Sequence, residues 1–89
     1  MTRIVDAAVA GEPFVCRISD YHGNAPSQEI MDFCGQNVIN ELDRKLQVSN
    51  GNSTSVYFEM DGKFYKVYKG PNQAVTIPGK YTYNVYECR

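Results

Sequence analysis

The stretch VYFEMDGKFYKVYKG, Val56 to Gly70, constrains this chain more than any other. Asp61-Gly62 is a dipeptide favoured in two-residue type I′ turns, which need positive φ at both centres and match the twist of the strands they join. With these residues as the turn, the register follows. Met60 faces Lys63, Glu59 faces Phe64, Phe58 faces Tyr65, Tyr57 faces Lys66, Val56 faces Val67 and Ser55 faces Tyr68. Opposed residues of an antiparallel pair share a face. One face therefore holds Val56, Phe58, Tyr65 and Val67, and the other holds Tyr57, Glu59, Phe64, Lys66 and Tyr68. Five of the chain's eleven Phe and Tyr residues fall in these fifteen positions, so both faces are aromatic. A small domain needs only one buried sheet face, and the second calls for an explanation.

The rest of the chain limits what can supply it. Its 89 residues, 43% apolar and 21% charged, are enough for one two-layer core and too few for two, so residues 1–89 are expected to form a single compact domain. From Gln28 to about Val48 the apolar residues keep helical spacing, with a continuous stripe through Ile30, Cys34, Val38, Leu42 and Leu46. Glu29 and Asp32 near its start and Arg44 and Lys45 near its end suit the helix dipole. Asn24 or Ser27 serves as the N-cap, Pro26 fits the first turn, and Asn50-Gly51 is expected to stop the helix. This predicts one helix of about five turns. Gly35 inside it costs roughly 1 kcal/mol relative to alanine and is read as a point of close approach for the sheet or a second copy of the helix.

Before the helix, Arg3–Ala10 reads as a first strand or an arm, broken by Gly11-Glu12-Pro13. Phe14, Cys16 and Ile18 alternate with Val15, Arg17 and Ser19 as in a half-buried strand. Asp20–Ser27 is rich in turn formers. After the hairpin come a turn at Gly70–Asn72, a short strand Ala74–Ile77, a turn at Pro78-Gly79 and a last strand. That strand puts Tyr81, Tyr83 and Val85 on one side and Thr82, Asn84, Tyr86 and Cys88 on the other. The expected architecture is α+β: one long helix packed on a mostly antiparallel sheet of four to five strands.

One helix covers one face. The other, with Tyr57, Phe64, Lys66 and Tyr68, joined by Tyr86, is then either wet or covered by a partner. Tyrosines sit comfortably on exposed strands with their hydroxyls in water. They are also enriched at interface cores, whether with a protein target or a second copy of the chain. A third reading stacks bases on the rings and places phosphate on Lys66 and Lys63. The helix side bearing Asp32, Gln36 and Asp43 forms a second, acidic surface. The lysines at 63, 66 and 69 are read as edge-strand charges that discourage aggregation.

Charge argues against whole-chain attraction to nucleic acid or an anionic membrane, because the net value is only −1. The halves differ. Residues 1–60 carry four Lys/Arg against eight Asp/Glu, and residues 61–89 carry five against two. The run AAVAG is shorter than a secretory core and follows Asp6, so the mature protein is expected to begin near Met1. No segment approaches the ~20 apolar residues that span a bilayer, and no membrane contact is expected. Cys16, Cys34 and Cys88 cannot all pair, unlike the even frameworks of small secreted domains. Free thiols in a cytoplasm follow, where the sequon Asn52-Ser53-Thr54 receives no glycan.

Catalytic signals are weak. His22 offers a base to Cys16 or Cys34 only if the fold brings them within hydrogen-bond reach, and a cysteine on a core face behaves as a small hydrophobe. The cysteines and His22 lack the paired spacing of zinc modules, and no glycine-rich phosphate loop is present. The expectation is a non-catalytic cytoplasmic protein, needing no metal or cofactor, that blocks or sequesters a macromolecular partner. Inhibitors and adaptors of this size, anti-defence proteins of bacterial viruses among them, work in that way. A nucleotide or single-stranded nucleic acid on the aromatic and lysine face is the alternative.

Overall fold

The computed structural model describes residues 2–23, 25–49, 52–71 and 81–88, without the side chains of 15–17 and 19–23. Five strands form one antiparallel sheet: β1 (Thr2–Val5), β2 (Pro13–Gly23), β3 (Thr54–Met60), β4 (Lys63–Pro71) and β5 (Tyr81–Cys88). Their order across the sheet is β1-β3-β4-β5-β2, so the hairpin β3–β4 lies inside the sheet and the N-terminal strands form its two edges. The hairpin has the expected register from Ser55↔Tyr68 to Met60↔Lys63. Its turn has positive φ at both Asp61 (53°) and Gly62 (80°), the signature of the type I′ geometry.

Three helical segments accompany the sheet: α1 (Ala7–Ala10), α2 (Gln28–Cys34) and α3 (Gln36–Val48). The long helix expected over 28–48 is therefore two. Gly35 separates them with φ 89° and ψ 157°, a backbone region open almost only to glycine. Close approach of the sheet is absent, for a Cβ at Gly35 would meet nothing of this chain within 4 Å. Conformation, not crowding, explains this glycine. Ser27 caps α2 by accepting from the Ile30 N–H at 3.3 Å, and Pro26 precedes the cap. The apolar stripe survives the break: Ile30, Cys34, Val38, Leu42 and Leu46 are all buried, because each helix turns its own part of the stripe to the sheet. α2 packs on β2, and α3 packs on β3 and β4.

Under the helices lie Val56, Phe58, Tyr65, Val67, Tyr83 and Val85, all buried in one cluster. Phe33 closes it by meeting Phe58 and Tyr65 edge-on, at centroid distances of 6.3 and 5.1 Å. Fully burying side chains of this size stabilises by roughly 1.5–3 kcal/mol each, and this layer holds the helices to the sheet.

Several sequence expectations are corrected here. Strict alternation over Phe14–Ser19 fails, since β2 shifts register between Pro13/Val15, Cys16/Ile18 and Asp20/Gly23. Such bulges bend and twist an edge strand and blunt it against further pairing. Asp20–Gly23, expected as a turn, continue β2, with Gly23 opposite Tyr81. Arg3–Ala10 divides into β1 and α1, and β1 joins the sheet. β4 is a central strand, so its lysines do not guard an edge. Lys69 is in fact buried, at 8% exposure, and binds Asp43 of α3 at 2.9 Å. Its Nζ also lies 4.9 and 5.1 Å from the ring centres of Tyr81 and Tyr83. Asn24, Asn50-Gly51, the strand Ala74–Ile77 and the turn Pro78-Gly79 lie outside the described residues, as does part of the Gly70–Asn72 turn.

Gly35→Ala is expected to cost on the order of 1–3 kcal/mol in urea unfolding, all of it backbone strain because the space beside the residue is open. A D-alanine at the same position, introduced by chemical synthesis, is expected to restore most of the loss. Equal losses for both enantiomers would show that the side chain and not the backbone is rejected.

Candidate functional site

The second face is read most easily along rows perpendicular to the strands. One row runs Val5, Tyr57, Lys66, Tyr86 through four neighbouring strands. The row toward the hairpin turn holds Arg3, Glu59 and Phe64, and the row on the other side holds Ser55, Tyr68 and Asn84. Alternation of the pleat puts all of these on the side away from α2 and α3. The five residues expected on this surface, Tyr57, Phe64, Lys66, Tyr68 and Tyr86, therefore do come together on β3, β4 and β5. Each is half-buried. The smaller Thr82 and Asn84 lie deeper, each at 8% exposure.

Their surroundings differ. Lys66 places Nζ 5.5 Å from the centre of the Tyr86 ring, within cation–π range. Tyr68 bends over Gly70, where an added Cβ would collide with its ring and hydroxyl. The ring thus covers a glycine of the same strand, and its role is partly structural. Glu59 is engaged by Arg3 of the edge strand, whose Nε donates to Oε1 at 3.0 Å.

Part of the cover over this face comes from the chain itself, which the sequence reading did not anticipate. β1 and β2 occupy opposite edges, and the helices fill the core face, so residues 6–12 have only the second face to cross. α1 packs against β3, Ala10 is buried at 1% exposure, and the charge of Glu12 is felt by both Tyr57 and Cys88. The run of small residues Ala7, Ala8 and Ala10 is the signal that was available: it suits a turn lying flat on a sheet. Val9 points outward at 59% exposure.

On the helix surface Asp32 and Gln36 are exposed and the Asp43 side chain is half-exposed. Asp43 holds Lys69, Asp32 accepts from Gln28 Nε2 at 2.7 Å, and Gln36 donates to Asn40 Oδ1 at 2.7 Å. These side chains hold the fold or one another.

Protonation follows burial. Desolvation pushes the Cys34 thiol from its ordinary 9.0 to about 12, and it raises Cys88 despite the opposing charge of Lys66. Tyr57 is raised by burial and then by the charges of Cys88 and Glu12. Tyr83 is raised by burial against the opposing effect of Lys69. Burial alone would lower Lys69, but hydrogen bonds to Asp43 and Tyr83 outweigh it and hold the ammonium form. At neutral pH the buried Cys34 is a thiol, not a thiolate nucleophile. The side chains of Cys16 and His22 lie outside the described residues. Among the described residues no group of three or more His, Cys, Asp or Glu is placed to hold a metal ion. No protein-family model, curated protein or solved structure matches this chain.

All five raised groups bind protons more tightly folded than unfolded. Their contribution to stability is present in full below the unfolded pKa values and is lost as pH rises through the folded ones. The urea midpoint is expected to fall as pH climbs from 9.0 toward about 12, and Cys34→Ala, though less stable overall, is expected to show a shallower fall. A midpoint that rises or stays flat across that range would contradict these assignments.

Proposed function

We propose that this protein acts by binding and not by catalysis, and that it blocks or sequesters a protein partner through the sheet face carrying Tyr57, Phe64, Lys66, Tyr68 and Tyr86. The observation that carries this reading is the placement of five half-buried residues, four of them aromatic, on the three inner strands β3, β4 and β5. Strands paired on both sides hold such a surface rigid, so little conformational entropy is lost when a partner docks. Tyr and Phe also supply large contact area with few rotatable bonds. A cytoplasmic site of action is supported by the free, buried thiols Cys34 and Cys88. No helix is long and apolar enough to cross a membrane among the described residues.

The test uses the protein as immobilised bait against a lysate of its host. Phe64→Ala with Tyr86→Ala is the chosen pair, since Tyr68 also shields Gly70 and its loss would blur binding with folding. For a partner captured by the wild type, the double variant is expected to bind at least about 30-fold more weakly, as truncating interface anchors does, with an unchanged circular dichroism spectrum. Asp32→Ala with Gln36→Ala, on the helix surface, is expected to leave capture intact. Affinity should fall by less than about tenfold between 50 and 200 mM salt, where binding through many phosphates loses ~10³-fold or more. Full capture by the Phe64/Tyr86 variant would remove the proposal.

A further inference from the structure

Lys66 stands apart from the other cations whose side chains are described. Arg3, Arg44 and Lys69 each form an ion pair, with Glu59, Glu41 and Asp43. Lys45 donates to the Ser55 carbonyl at 2.8 Å, and Lys63 is exposed beside the hairpin turn. Lys66 is half-buried on the central strand of the sheet, between Tyr57 and Tyr86 in its row. It has a ring for company and no carboxylate in an ion pair among the described residues.

In the free protein water completes the hydration of this ammonium. A partner that covers the face removes that water, and burying an unpaired charge in this way is strongly unfavourable. The neighbouring acids do not relieve it. Glu59 is taken by Arg3, and Glu12, whose charge reaches Tyr57 and Cys88, makes no ion pair with Lys66. Among the described residues no carboxylate pairs with Lys66, so a partner is taken as the source of the compensating anion. The same balance argues against a polyanion: a nucleic-acid strand would bring several phosphates to a surface where, among the described residues, Arg3 is already paired with Glu59 and Glu12 adds a negative charge beside Tyr57.

Resting on the binding role proposed above, we infer that the partner docks an acidic protein segment here, one Asp or Glu carboxylate seated on Lys66 between Tyr57 and Tyr86 and an apolar neighbour on Phe64. The lysine sets which partners are accepted, and the rings supply the contact area.

The probe is a phage-displayed library of random 12-residue peptides, selected on the wild-type protein and on Lys66→Glu. Selected peptides are then measured as free, labelled peptides by fluorescence anisotropy. The wild type is expected to enrich Asp or Glu beside an apolar residue, and Lys66→Glu is expected to enrich Lys or Arg instead. Binding of an acidic peptide should weaken about tenfold or more in Lys66→Met and stay within a few-fold in Lys66→Arg, as loss and retention of a charge-assisted contact require. Lys66→Met keeps the test valid if Lys66→Glu does not fold.

Peptides that depend on Phe64 and Tyr86 but show no acidic preference would overturn the inference and leave the binding face standing. Peptides indifferent to Phe64→Ala and Tyr86→Ala would overturn both. Failure of the wild type to enrich any peptide would count against the acidic segment, as would Lys66-dependent binding of a single-stranded oligonucleotide in place of the peptides.

Discussion

The pairing of Val56 with Val67 and of Phe58 with Tyr65 is the contact on which the rest of this protein depends. A two-residue turn at Asp61-Gly62 determines it, and a slip of one residue in either strand would carry the whole apolar set to the opposite face. With the register in place, β4 presents a second apolar edge to β5, and Tyr83 and Val85 extend the buried layer. The helices cover this face. Their stripe, Ile30 to Leu46, and the sheet layer are each half of one core.

The same pairing creates the second face without further design. Every residue that points into the core has neighbours pointing out, and here those neighbours are Tyr57, Phe64, Lys66 and Tyr68, with Tyr86 from β5. The crossover from β1 to β2 buries Ala10, and the rings stay half-buried. Two lysines of β4 show how differently the faces treat charge. Lys69 points under the helices, is nearly buried and is paired with Asp43, whereas Lys66 three residues away lies between Tyr57 and Tyr86 in its row and has no ion pair among the described residues. The Lys69–Asp43 pair serves stability, and the proposed partner contact is assigned to Lys66.

What could be read from the sequence follows from how local each signal is. The hairpin register, the core stripe and the grouping of Tyr57, Phe64, Lys66, Tyr68 and Tyr86 rest on periods of two and 3.6 residues and on one turn dipeptide, so the chain displays them directly. The break at Gly35 is hidden because helical spacing of Ile30, Cys34 and Val38 continues across it; a stripe records which side faces the sheet, not whether the backbone stays helical. The bulges of β2 hid the strand character of Asp20–Gly23, since each added residue reverses the alternation. Lys69 and Asp43 could not be matched from sequence, because their meeting depends on where α3 lies over β4. The crossover was invisible for the same reason: only the strand order shows that residues 6–12 must span the sheet.

The division of labour between the two faces is the central claim, and chemical-shift mapping tests it most directly. A ¹⁵N-labelled sample would be titrated with the partner captured by the wild-type protein. The account predicts that the largest amide shifts fall on β3, β4 and β5 at Tyr57, Phe64, Lys66 and Tyr86, with those of Asp32, Gln36 and Asn40 unchanged. Shifts concentrated on the helices, with the aromatic face silent, would contradict it.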